Sequence, residues 1–328
     1  MALKTHTELP ILPQEIVELV LDEVADLKSP KTLRACALVS KSFCFRCRQY
    51  LYSDIILLVD RYGQARARRI IKTLETLRKG GFAADVRSLT LILDVSSKFY
   101  ESGPTFGSRA LSGRQAQKLK HVGFRTVERL GLRETSLEKL LQLLMTSQLT
   151  TFALEARGGF IDWGLHLKGE IRIEAFQSLF THPSLKSLQI SHVSGLDNSF
   201  LAEALKNNSE SLQELAFINI SLPILGITLP AVQFTNSHLR KLDIRRTSIR
   251  EILRTMGYST LSIATPAPQP FVTFTGLQTL VISAHSLDLD LLWKFILGVA
   301  GTLETLEIEE VYWGCELISY IPLIIIRN

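Results

Sequence analysis

Along most of this chain, apolar residues recur in one short spacing, apolar-x-x-apolar-x-apolar. The triplets are Val86-Leu89-Leu91, Val127-Leu130-Leu132, Leu149-Phe152-Leu154 and Leu185-Leu188-Ile190, then Leu212-Leu215-Phe217, Leu239-Leu242-Ile244, Leu277-Leu280-Ile282 and Leu303-Leu306-Ile308. Alternation over the last three positions predicts a strand with one buried face. Start-to-start steps are 41 (127 − 86), 22, 36, 27, 27, 38 and 26 residues. Between triplets the spacing turns helical, as in Ala175-Phe176-Leu179-Phe180, Phe200-Leu201-Ala204-Leu205 and Leu291-Leu292-Phe295-Ile296-Val299. One strand and one helix cannot hide their apolar faces alone, so the units are expected to stack around a continuous core.

Ahead of these units the pattern is helical. Pro13 suits a first helical position and Glu15 the first turn. Ile16, Val17, Val20, Leu21 and Val24 fall within an arc of roughly 140° at 100° per residue. Glu15, Glu18, Asp22, Glu23 and Asp26 take the other side, with Leu19 alone among them. Ser29-Pro30 predicts a second helix through Val39, and Ser40 caps a third that carries Phe43, Cys47, Tyr50 and Leu51. Three short helices bury too little apolar area to stand alone. Periodicity leaves two readings open: a cap on the array, or a face that another protein covers.

Two resemblances extend this. Four of the seven steps fall in the 20–29 range, and the array resembles leucine-rich repeats with insertions. It departs from that pattern where an Asn or Cys usually follows the strand, since Val193, Ile220, Thr247 and His285 stand there. In Leu12 to Tyr50, Leu12-Pro13, Glu15-Ile16, the Cys36–Val39 run and Ser40-Lys41-Ser42-Phe43 occur in the order of an F-box. The resemblance implies an α/β chain: a three-helix F-box at 9–51, then an irregular leucine-rich-repeat solenoid over 52–328, a curved parallel sheet with outer helices and loops. An ordinary α/β domain is the competing architecture.

The same resemblance implies a substrate receptor of a Skp–cullin–F-box ubiquitin ligase, within the ubiquitin-like conjugation pathway. Its partners would be a Skp-type adaptor, a cullin through it, and a target protein held by the repeats. The expected adaptor-binding set is Leu12, Pro13, Ile16, Leu19, Val20, Leu33, Val39 and Phe43. Within it Leu12, Pro13 and Ile16 are expected to touch the adaptor, and Val39 to pack inside with Cys36. The alternatives are a non-catalytic repeat scaffold whose front helices only cap the array, and a repeat-type activator of an enzyme.

Composition narrows this little. Of 328 residues, 46 % are hydrophobic and 21 % charged, with net charge +5, which suits a large core and demands no nucleic acid. Four cysteines are too few for a secreted disulfide framework, and Met1–Glu8 lacks the apolar stretch of a signal peptide. The apolar run Leu317–Ile326 is about half of the ~20 residues a bilayer span needs. A cytoplasmic or nuclear protein is expected, with no membrane partner.

No catalytic constellation stands out, so an enzyme is not expected, nor a cofactor. The seven histidines are scattered and no metal site is expected. Cys44-Phe45-Arg46-Cys47 lacks the second ligand pair of a zinc site and reads as a helical pair of thiols, one at the surface and one in the core. Arg61, Arg66, Arg68, Arg69, Lys72, Arg78 and Lys79 with Ile70, Ile71, Leu74 and Leu77 predict an amphipathic helix with a solvated basic face. Three prolines in Thr265–Pro270 predict a surface loop, read as a spacer.

Strand side chains alternate, so residues between the apolar ones should face outward. Those expected to read a target are Arg129, Arg133, Glu155, Lys241, Asp243, Arg245, Glu307 and Glu309. Positive charge comes early in this series and negative charge last.

Overall fold

The structure, a computed structural model, describes residues 13–27, 29–59, 63–78, 86–95, 135–163, 170–222, 237–256, 274–285, 289–312 and 326–327. The chain is α/β. Three helices come first: α1 (Gln14–Asp26), α2 (Pro30–Cys36) and α3 (Lys41–Ser53). Strands and helices then alternate as β1 (Asp54–Val59), α4 (Gly63–Arg78), β2 (Ser88–Asp94), α5 (Thr135–Leu144) and β3 (Thr151–Arg157). Next come β4 (Ile161–Asp162), α6 (Glu170–Phe180), β5 (Ser187–Ser191), β6 (Val193–Ser194), α7 (Asn198–Asn207), β7 (Glu214–Ile218) and β8 (Lys241–Arg245). The series closes with α8 (Ile249–Thr255), β9 (Thr279–His285), α9 (Leu289–Val299), β10 (Thr305–Tyr312) and β11 (Ile326–Arg327).

The main sheet has nine strands in the order β1-β2-β3-β5-β7-β8-β9-β10-β11, and β4 pairs separately with β6. Every pair from β1 to β10 is parallel, and only β11 runs antiparallel to its neighbour. The register lines up the apolar spacing noted in the sequence. Leu89, Phe152, Leu188, Leu215, Leu242, Leu280 and Leu306 form one row, and Leu91, Leu154, Ile190, Phe217, Ile244, Ile282 and Ile308 the next. Both rows face a continuous core that the helices also fill. Along that side α4 packs on α5, α5 on α6, α6 on α7 and α7 on α8. Phe152, Trp163, Phe180 and Phe200 meet there, with Phe180 edge-on to both Phe152 and Phe200.

Several expectations need correcting. The unit expected at Val127-Leu130-Leu132 lies outside the described residues, and β2 pairs directly with β3. An unexpected unit precedes the array, because β1 adds Ile55 and Leu57 beside Leu89 and Leu91. The sheet is open and is not curled, so the expected curvature is absent. Pro13 is the cap residue before α1 rather than its first residue; its carbonyl accepts from the Ile16 and Val17 N–H groups. The second helix ends at Cys36 instead of Val39, because Leu38 and Val39 donate back only three residues, to Ala35 and Cys36. The expected proline loop, Thr265–Pro270, lies outside the described residues. No helix among the described residues is long and apolar enough to cross a membrane.

The missing Asn or Cys after each strand has a partial substitute. Thr247 is buried; its Oγ1 accepts the Ile220 N–H at 3.0 Å and lies 3.0 Å from the Arg245 carbonyl and 3.3 Å from that of Phe217. The residues directly after β5, β7 and β8 (His192, Asn219 and Arg246) all adopt a left-handed backbone, φ 58°, 55° and 53°. The chain therefore leaves three successive strands by the same sharp turn.

Candidate partner-binding surfaces

The front helices keep a core of their own. Val17, Leu21, Leu33 and Cys47 are buried together, flanked by half-buried Val24, Cys36, Phe43, Tyr50 and Leu51. Ser40 caps α3 by accepting the Phe43 N–H at 3.3 Å. Asp22 on α1 locks to α3: Arg46 Nη2 reaches its Oδ1 at 3.2 Å, and the Tyr50 hydroxyl donates to the same oxygen. The Tyr50 hydrogen bond, then Arg46, holds the Asp22 carboxyl below its ordinary value. Burial, then the bond to Asp22, pushes the Tyr50 phenol up. Arg46 also lies over the Tyr50 ring, 5.3 Å from its centre.

With its inward side filled, α1 turns a second apolar side to solvent. Ile16, Leu19 and Val20 are exposed, Leu19 by 62 %, as is Leu27 at the helix end. Ile16 and Val20, four apart, share one stripe, with Leu19 beside them. The turn after α2 adds Leu38 and Val39, 89 % and 68 % exposed.

The expected adaptor set therefore divides. Ile16, Leu19 and Val20 lie on the open side of α1, and Pro13 is exposed at its start. Leu33, only 5 % exposed, is inside the helical core, packed with Val17, Leu21 and Cys47. Phe43 is half-buried against that core. Val39, expected to pack inside, projects instead because α2 stops three residues early. Leu12 lies outside the described residues.

Cys47 is buried and Cys44 half-buried, both free thiols. Burial first, then the neighbouring Cys36 and Cys44, pushes the Cys47 thiol up, as in an unreactive packed thiol. The basic helix turns part of its charge back on the fold: Arg66 Nη1 reaches the Leu58 carbonyl at 3.1 Å and Arg68 Nε the Ser136 hydroxyl at 3.3 Å.

On the sheet, alternation holds, and it brings three of the expected target-reading residues together. Arg245 Nε and Nη2 hold both oxygens of Asp243 at 2.8 Å, and its Nη1 reaches Glu309 at 2.9 Å. Asp243 is thereby covered, at 5 % exposure, so it is not the open reader expected. Lys241 is exposed; Glu155, Glu307 and Glu309 are half-buried on the same face. Arg129 and Arg133 lie outside the described residues. Where the helices join the sheet, a cleft of about 400 Å³ is lined by Arg46, Gln49, Tyr50, Ser53, Asp54 and Arg87.

Sequence reading missed Leu38, and also Trp293 and Leu297, exposed on α9 opposite its buried Leu292, Phe295 and Ile296. Helical spacing held the signal for α9, since residues 293 and 297 share one side. No family model matches the chain, and none of the curated proteins or solved structures is similar enough to match it.

Proposed function

We propose that the chain is the substrate-recognition subunit of a Skp–cullin–F-box E3 ubiquitin ligase. The α1–α3 module, read as an F-box, binds a Skp-type adaptor and through it a cullin. The strand-bearing part, read as an irregular leucine-rich-repeat solenoid, holds the target protein. The chain carries out no bond chemistry; it raises the effective concentration of the target near the transferring enzyme.

One observation carries the reading. The helices close a core of their own and still leave Ile16, Leu19 and Val20 in water, on a module whose N-terminal motif resembles the F-box. An apolar helix side of this kind is costly to expose and suits a partner's groove. A rival reading, a scaffold whose front helices cap the sheet, draws on the start of the sheet's backbone ladder at the end of α3, where Arg87 N–H donates to the Ser53 carbonyl at 2.8 Å.

Co-purification with a Skp-type adaptor separates the two. The wild-type chain should retain the adaptor, and Leu19→Asp/Val20→Asp should lose it while the chain stays folded. No association of the wild type would favour the scaffold.

A further inference from the structure

One residue ahead of each strand keeps the ladder in step, and three of these residues are basic. The N–H groups of Arg87, Lys186 and Arg240 donate to the carbonyls of Ser53, Thr150 and Gln213 at 2.8, 2.7 and 2.8 Å. The carbonyl of each in turn accepts two N–H groups from the next strand's start, as Arg87 does from Thr150 and Thr151. Main-chain bonds on both sides thus fix where the three side chains begin. All three are exposed, and among the described residues none pairs with a carboxylate.

Their spacing is regular. They precede β2, β5 and β8, which alternate with β3 and β7 in the sheet. Neighbouring strands lie about 4.8 Å apart, so the cations recur about every 9.6 Å. A polypeptide in the polyproline II form advances about 3.1 Å per residue with three residues per turn, which puts every third side chain on one side, about 9.3 Å apart.

We propose that this edge of the sheet, through Arg87, Lys186 and Arg240, docks an acidic segment of the target protein in the polyproline II form, whose carboxylates recur at every third residue. The proposal rests on reading the strand-bearing part as the one that holds the target. The residues between the cations, Thr150 and Gln213, are neutral hydrogen-bonding groups suited to a peptide backbone. They offer no ring on which a nucleic-acid base would stack. Lys241 adds a fourth charge beside Arg240. The acid within this run, Glu214, already accepts from the Ser187 hydroxyl at 3.1 Å. Asp54 on β1 and Glu304 ahead of β10 bound the basic run, so the segment that fits is short, about seven residues from β2 to β8.

Fluorescence anisotropy on the full chain tests this with a labelled peptide of about ten residues carrying Glu at every third position among Ser and Gly. Binding should weaken several-fold between about 0.05 M and 0.3 M salt. Arg87→Gln/Lys186→Gln/Arg240→Gln should weaken it about tenfold or more, each exposed ion contact contributing a few-fold. Removing equal charge on the helices, Lys31→Gln/Arg34→Gln/Lys41→Gln, should leave it unchanged. Should the triple edge variant misfold by circular dichroism, Lys186→Gln alone should still give a several-fold loss.

The proposal is overturned by no binding to the wild-type chain, by an equal loss from the helix set, or by equal binding of a peptide with its Glu residues consecutive. Tighter binding of a single-stranded oligonucleotide of equal charge also overturns it. Peptide binding without adaptor co-purification would fault the adaptor reading alone.

Discussion

Arg245 on β8 reaches over β9 to Glu309 on β10, Nη1 to Oε1 at 2.9 Å, while its other nitrogens clamp Asp243 two residues back. The guanidinium is more firmly protonated than usual, first through the Asp243 hydrogen bonds and then the Glu309 one, against its partial burial. Asp243 has no other cation among its described ion pairs, so its buried carboxylate depends on Arg245. Removing the guanidinium strands that charge, whereas removing Glu309 loosens only a half-exposed arm.

Arg245→Met should therefore destabilise the chain by about 2–3 kcal/mol, and Glu309→Gln by less than about 1 kcal/mol. The double change Asp243→Leu/Arg245→Met should recover most of the loss, since no buried charge is left. Urea unfolding measures all three. Equal costs for the two single variants would show that Asp243 does not depend on Arg245.

The latch between α1 and α3 should respond to pH at both ends of the scale. Asp22 titrates below its ordinary 3.8 in the fold, so its contribution is complete above 3.8 and is lost as pH falls through the lower folded value. Tyr50 is shifted the other way, so its contribution is complete below 10.0 and is lost as pH rises through the higher folded value. The urea-midpoint difference between wild type and Asp22→Asn should thus stay level through neutral pH, close at strongly acid pH, and shrink again as pH rises well above 10.0 and Tyr50 loses the proton it donates to Asp22. A difference that persists there would mean that the Asp22 carboxylate is not what joins the helices.

The strands were legible because a period of two survives any irregularity in repeat length: Leu188, Leu215 and Leu242 fall side by side although their units differ in length from others in the chain. β1 was hidden because Tyr52, three ahead of Ile55, lies within α3, so this unit's apolar spacing starts inside a helix. Alternation put Asp243 and Arg245 on one face, but it carries no information on whether a guanidinium folds onto a carboxylate two residues away. The burial of Leu33 was not legible for a related reason: the inner side of a seven-residue helix is set by what packs on it, here Val17, Leu21 and Cys47. The exposure of Leu19 was legible because its helical angle on α1 separates it from Val17 and Leu21.

Thr247 should prove more costly to change than a surface threonine. Thr247→Val keeps the shape but leaves the buried Ile220 N–H without its acceptor, which should cost about 1–3 kcal/mol. Thr247→Ser keeps the hydroxyl and should cost less than half as much. Thermal or urea unfolding of the pair decides whether the hydroxyl or the methyl group matters, and equal losses would assign the effect to packing.

Leu19 and Leu21 sit two residues apart on α1 and should behave as opposites. Leu21 is fully buried, and Leu21→Ala should destabilise the helical module by about 2–5 kcal/mol through lost burial and the cavity left behind. Leu19 touches mainly water, so Leu19→Asp should change stability by no more than about 0.5 kcal/mol. Its effect belongs to the complex: a carboxylate forced into a partner's apolar groove must be desolvated or must keep the groove open, and either weakens association. Circular dichroism melting beside adaptor co-purification reads the two effects separately. A Leu19→Asp chain that melts early would place Leu19 in the fold's own packing. One that melts normally and still holds the adaptor would remove the open side of α1 from the interface.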